Sequence, residues 1–283
     1  MLRRFDDKLK EKGLEWLGLR QLSLNIEGLA AIGASSELFE MIEGGGQRIV
    51  EDGEPQEIVL IAVALAKCDI AAPRFFELMN SQRVAQTIAA SGPEYVASML
   101  WAAATLGQPA SELVRVVDQD PKKILNGKAA DAAKCIWAIA TLGYDAPSFF
   151  AALNTRKVCE KITRSEGSSV ATIAFALTNV EYDSATFFKN VQRNARTIAA
   201  SCSADDVAKC LTSLTHFIDA NDDYNDAAKI LWDEAMGRPM SEFSEEAWRQ
   251  LEKARQIFAD VLVVKDSEKI ARMAASAAAT SSV

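Results

Sequence analysis

The sequence of 283 residues predicts an all-α protein, an α-solenoid of about five two-helix repeats of 36–38 residues with an atypical C-terminal helical cap. Three observations predict it. Bulky apolar pairs recur at a near-constant interval: Leu38-Phe39, Phe75-Phe76, Leu113-Val114, Phe149-Phe150 and Phe187-Phe188 are spaced by 37, 38, 36 and 38 residues. An Ala-rich apolar segment precedes each of the later pairs, as in EIVLIAVALAKC, YVASMLWAAATLG, AAKCIWAIATLG and VATIAFALTNV. No run alternates apolar and polar residues in the way that would demand a sheet. A fixed period of this length is the signature of stacked repeats, in which one helix pair cannot bury its apolar face alone and its neighbours bury it instead.

Along the chain, residues 1–18 read as an N-terminal helical extension. They lack the apolar core of a secretory signal, and Asp6, Asp7 and Glu11 speak against a transit peptide. Residues 19–220 carry the repeats. Each first helix is apolar over most of its surface and is expected to be buried. SGPE at 91–94 and SADD at 203–206 set a Ser three residues before an acid, a helix-start signal. Gly107 and Gly143 suit left-handed helix ends, and Pro73 and Pro147 suit the first turn of the helix that follows. Trp101 and Trp137 hold the same place in neighbouring copies, and Phe175 takes it in the next. The stretch EGGGQRIVEDGEP, 43–55, reads as a long surface loop. The repeat fades after about residue 221, with a weak echo at Tyr224. Residues 221–270 are expected to form the helical cap, with an amphipathic helix over 244–264, and 271–283 a disordered tail.

Composition excludes several functions. The longest apolar runs fall short of the ~18–20 residues that a spanning helix needs, so no membrane span is expected. The five cysteines, Cys68, Cys135, Cys159, Cys202 and Cys210, are odd in number and form no C-x-x-C pair. They read as packed free thiols in a reducing compartment. The single histidine, His216, leaves no material for a His-based triad or zinc site. No nucleotide-binding or nucleophile-elbow motif is present. The acidic stretch DANDDYND, 219–226, lacks the Gly and terminal Glu of a calcium loop. No metal, cofactor, small-molecule substrate or catalytic residue is expected, and the chain is read as a non-enzyme.

Charge is unevenly placed. The net charge is −8, yet residues 71–200 hold 14 Lys and Arg against 11 Asp and Glu. The remaining segments hold 17 against 28. A basic residue follows each aromatic pair at short range: Arg83, then Lys122 and Lys123, then Arg156 and Lys157, then Arg193 and Arg196. Equivalent positions of stacked repeats line up, so these cations could track a phosphate backbone. The competing reading is that Lys and Arg sit at helix ends because the macrodipole favours them there, with the side chains merely solvated. Asp118, Asp120 and Glu160 lie nearby and oppose the basic field.

The segments ASMLWAAATLGQPASELV and AKCIWAIATLGYDAPSFFAAL resemble the octotricopeptide and heptatricopeptide helical repeats of organelle proteins, which also occur ahead of RAP domains and are related to helices of FAST-kinase-like proteins. The likeness rests on the W-A-x-A-T-L-G core, the turn after it and the bulky pair, over residues 19–220. No C-terminal RAP domain is visible. The resemblance implies an organellar protein, in a mitochondrion or plastid, that binds single-stranded RNA, alone or within a ribonucleoprotein assembly. The alternative is a protein–protein scaffold or accessory subunit of a large organellar complex.

Overall fold

A computed structural model describes residues 19–31, 37–217 and 225–257. The N-terminal extension, the C-terminal tail, most of the DANDDYND stretch and the end of the 244–264 segment lie outside the described residues. Two compact units divide the chain, residues 1–149 and 150–283. Each is built from stacked antiparallel helices, and among the described residues there is no strand. This is α-solenoid architecture, as the repeat predicts.

In the first unit the helices are α1 (Leu19–Ala31), α2 (Glu37–Asp52), α3 (Pro55–Lys67), α4 (Pro73–Met79), α5 (Gln82–Ser91), α6 (Pro93–Thr105), α7 (Ser111–Gln119), α8 (Pro121–Leu125) and α9 (Ala129–Leu142). The first helices form one row, α1 on α3, α3 on α6 and α6 on α9. Buried alanines such as Ala62, Ala64, Ala97, Ala102, Ala103 and Ala138 let these backbones approach closely. The second helices form the other layer, where α2 packs on α4 and α5 on α7.

α10 (Pro147–Leu153) carries the Phe149-Phe150 pair across the division. The second unit continues with α11 (Arg156–Thr163), α12 (Gly167–Asn179), α13 (Ala185–Arg193), α14 (Ala195–Ser201), α15 (Ala204–His216), α16 (Asn225–Gly237) and α17 (Glu245–Ile257). Here α12, α15 and α17 form the row of first helices, while α11 packs on α13 and α14 on α16. The repeated phenylalanines are core: Phe75, Phe76, Phe149, Phe187 and Phe188 are fully buried.

The second helix of the four central repeats is broken in two, which the two-helix reading did not anticipate. The breaks fall at Asn80-Ser81, Asp120-Pro121, Asn154-Thr155 and Asn194. Pro121 has no N–H to continue a helix and opens α8 instead. Polar side chains near the breaks also reach the next copy. Asn80 Oδ1 accepts from the Glu112 N–H of α7 at 2.9 Å. Asp118 Oδ1 accepts from the Phe149 N–H of α10 at 2.8 Å. Asn154 Oδ1 accepts from Ser184 Oγ at 2.8 Å, just ahead of α13. Each bond satisfies or anchors a helix start that would otherwise lack a partner.

The first helices end alike. Asp69, Gly107, Gly143 and Glu181 all take positive φ, at 53°, 63°, 68° and 53°. The next residue donates back across each end, Ile70 to Leu65, Gln108 to Ala103, Tyr144 to Ile139 and Tyr182 to Leu177. These are Schellman caps. Two local expectations fail. The stretch 43–55 is mostly helix, because α2 runs through its three glycines to Asp52. Ile42 and Ile49 bury one face, and a Cβ added at Gly46 would meet Leu78 at 3.2 Å and the Phe75 Cα at 3.4 Å. Close packing of α2 on α4 therefore overrides poor helix propensity. Ser91 does not start α6 either. Its hydroxyl donates to the Thr87 carbonyl at the end of α5, and Gly92 precedes Pro93. The second signal holds, since Ser203 Oγ accepts from the Asp206 N–H at 3.2 Å.

Candidate nucleic-acid interface

All seven cations singled out from the sequence are exposed. The break in the second helix fixes where they stand. Arg83, Lys122, Lys157 and Arg196 are each the second residue of a short third helix, α5, α8, α11 and α14. This common register was not visible in their uneven distances from the aromatic pairs. Arg83 and Lys122 belong to the first unit, Lys157 and Arg196 to the second.

The macrodipole does not account for the register. Arg83, Lys157 and Arg196 lie in first turns, where partial positive charge accumulates and a cation is disfavoured. Of the seven, Arg193 alone closes a helix of more than five residues in the favoured way. Lys122 and Lys123 sit in a helix of five residues, too short for its ends to be distinguished.

Among the described residues, Arg83, Lys122, Lys157 and Arg196 make no ion pair. Lys123 differs, because its Nζ donates to the Ala89 carbonyl of α5. Arg156 Nε bonds Glu160 Oε1 at 2.7 Å. That bond holds the Glu160 carboxyl below the usual carboxylate range; burial opposes it, and the charges of Arg156, Arg164 and Arg193 add to it. Sequence spacing did not single out Arg164, which stands outside the register. The second unit thus gathers Arg156, Arg164 and Arg193 around one carboxylate. Asp118, suspected of weakening the basic field, is committed to capping α10.

The first helices carry aromatics that the charge argument passed over. The ninth residues of successive first helices are Val63, Trp101 and Trp137 in the first unit, and Phe175 in the second. All four are half-buried, so each keeps part of its side chain in solvent. The thirteenth residues, Lys67, Thr105, Thr141 and Asn179, are exposed. The shared place of Trp101, Trp137 and Phe175 was legible in the repeat, but their exposure was not.

Cys135, Cys159, Cys202 and Cys210 are buried, and all five thiols are free. Burial raises the Cys159 thiol to about 12 and pushes Cys135 higher. Among the described residues no three His, Cys, Asp or Glu side chains could hold a metal ion. No described helix is long and apolar enough to cross a membrane.

Stacked helix pairs with an unpaired cation at one fixed place in each central repeat define a helical-repeat protein. The sequence comparison narrows that class. A family model for the RNA-editing substrate-binding complex 6 protein, RESC6, matches residues 17–238, and the chain belongs to this family. The family description does not name the octotricopeptide or RAP families that the repeats resemble. A comparison with curated proteins found no match.

Proposed function

We propose that the chain is a non-catalytic RNA-binding subunit of an RNA-editing ribonucleoprotein assembly in an organelle, a mitochondrion or plastid. Its repeats are of the octotricopeptide kind. Single-stranded RNA is the ligand and no cofactor takes part. Arg83, Lys122, Lys123, Arg156, Lys157, Arg193 and Arg196 contact phosphates, with Arg164 added in the second unit. One observation carries this reading: four unpaired cations occupy the same helical position, and at three of them the helix itself is made less stable by the charge. Solvation alone gives no reason for such a register, whereas a charged backbone with regular spacing does. The family description names an RNA-editing substrate-binding complex, which supports the same ligand class.

A role as a protein-binding accessory subunit is the second reading. The net charge of −8 favours it, as does a family named for a multi-component complex.

The test is fluorescence anisotropy of a labelled mixed-sequence single-stranded RNA, titrated with the full chain from ~50 to ~200 mM salt. Affinity that falls steeply with salt supports phosphate contact. Absence of binding at the lowest salt overturns the RNA reading and leaves the accessory-subunit one.

A further inference from the structure

Within the second unit the ninth residue of α12 is Phe175, whereas that of α15 is Thr212. A cavity of about 270 Å³ opens there, within the second unit, between α12, α15 and α17. Phe175, Asn179, Thr212, His216, Gln250 and Lys253 line it, and these include the ninth and thirteenth residues of α12 and α15. The hollow stands where the indoles of Trp101 and Trp137 would fill the same register.

We propose that this cavity binds one unpaired nucleobase of the RNA, an inference that rests on the RNA-binding reading above. Its walls suit a flat, neutral group with polar edges. Phe175 offers a half-buried aromatic ring, and Ile257 on α17 is a large apolar side chain left 47% exposed at the lining. The polar groups are the kind that read base edges. Asn179 supplies an exposed amide and His216 an exposed imidazole. Gln250 is only 8% exposed, yet its side-chain oxygen is buried without a hydrogen-bond partner. A buried acceptor without a partner costs stability, and the residue that carries it is one of those lining the cavity.

Charge argues for the base rather than the phosphate as the occupant. Glu246 also lines the cavity and accepts from Gln250 Nε2 at 3.4 Å. Arg249 is tied to Glu245 at 2.5 Å and to Glu246 at 3.3 Å. An anion placed inside would meet that carboxylate. Lys253 makes no ion pair among the described residues and remains available to the phosphate attached to a bound base. The pattern is that of base recognition on unstacked RNA, an aromatic face with hydrogen-bonding groups at its margin.

The experiment compares four labelled homopolymeric RNA oligomers, of A, C, G and U, for binding to the full chain at one low salt concentration. The wild-type affinities are expected to spread at least roughly fivefold, about what one hydrogen bond to a base edge contributes, since stacking itself is sequence-tolerant. Thr212→Trp places in α15 the residue that α6 and α9 carry at this position. It is expected to shrink the spread below twofold while leaving the salt dependence unchanged. Asn179→Ala, at an exposed site that cannot disturb the fold, is expected to change the order of preference. Equal binding of all four oligomers by the wild type overturns the base pocket and leaves RNA binding standing. Full retention of the spread by a Thr212→Trp protein that melts like wild type, or an unchanged order of preference in Asn179→Ala, also overturns it. Failure of every oligomer to bind overturns both readings.

Discussion

Neutralising the register of cations should weaken RNA binding and strengthen the fold, two effects of opposite sign from the same side chains. The perturbation is the combined change of Arg83, Lys122, Lys157 and Arg196 to Gln. Each phosphate contact on a single strand contributes about 0.7 to the slope of log affinity against log salt. Four lost contacts therefore flatten the slope by roughly 2.8, and the loss of affinity between ~50 and ~200 mM salt shrinks by roughly fiftyfold. Stability moves the other way. Arg83, Lys157 and Arg196 stand in first turns, where an exposed cation is disfavoured by about 0.3 kcal/mol or slightly more. Removing three such charges should stabilise the chain by about 1 kcal/mol at low salt, a rise in Tm of roughly 2 °C for a chain of this size. Lys122 is left out of that sum because α8 is too short to have distinct ends. Anisotropy titrations at several salt concentrations give the slope, and circular-dichroism melting gives Tm. Lys229→Gln is the control, exposed on α16 and outside the register. An unchanged slope would sink the phosphate-contact argument. A fall in Tm of several degrees would show that the cations support the fold and are not there for a ligand.

Further outcomes are expected at the basic cluster, the helix ends and the thiols. Glu160→Gln removes the one carboxylate that Arg156, Arg164 and Arg193 surround, so RNA should bind roughly two- to fivefold more tightly at low salt, with the gain fading as salt rises; weaker binding in the same anisotropy assay would contradict this. At the helix ends, a Cβ at Gly143 would meet nothing within 4 Å, so the loss on Gly143→Ala is all backbone strain, about 1 kcal/mol. Glu181→Gly relieves the same strain and should stabilise by up to about 1 kcal/mol, both read from denaturant midpoints. Finally, burial raises the Cys159 thiol from 9.0 to about 12 and lifts Cys135 further. A raised folded value means that stability is fully present below the unfolded thiol value, and is lost as pH climbs from about 9 towards 12. Iodoacetamide should accordingly label Cys68, the one thiol that is not buried, before the other four; mass spectrometry of the native protein checks the order.

The repeat was legible because burial is periodic. A helix that packs on two neighbours must keep apolar residues over most of its surface, and the same demand recurs in every copy, so the Phe pairs and the Ala-rich segments appeared directly in the sequence. Gly107 and Gly143 were readable for a similar local reason, since a left-handed helix end favours the residue without a Cβ. Asp69 and Glu181 take the same conformation without that signal. The glycines of α2 misled because their helix is held by contact with Phe75 and Leu78, residues about 30 positions away. The cation register was only half legible. The basic residues were visible, but their shared place was hidden by the breaks after α4, α7, α10 and α13, which depend in part on bonds from one repeat to the next.

By itself, then, the sequence determined the helical class, the repeat length, the buried Phe pairs and the identity of the basic residues, because each follows from local composition and periodic burial. Tertiary structure alone decided that Arg83, Lys122, Lys157 and Arg196 occupy one position on four short helices, and that Thr212 leaves a hollow where a Trp stands elsewhere. Both depend on how neighbouring repeats stack. A side chain's exposure, and the space that a smaller one leaves, are set by residues a full repeat away in the chain.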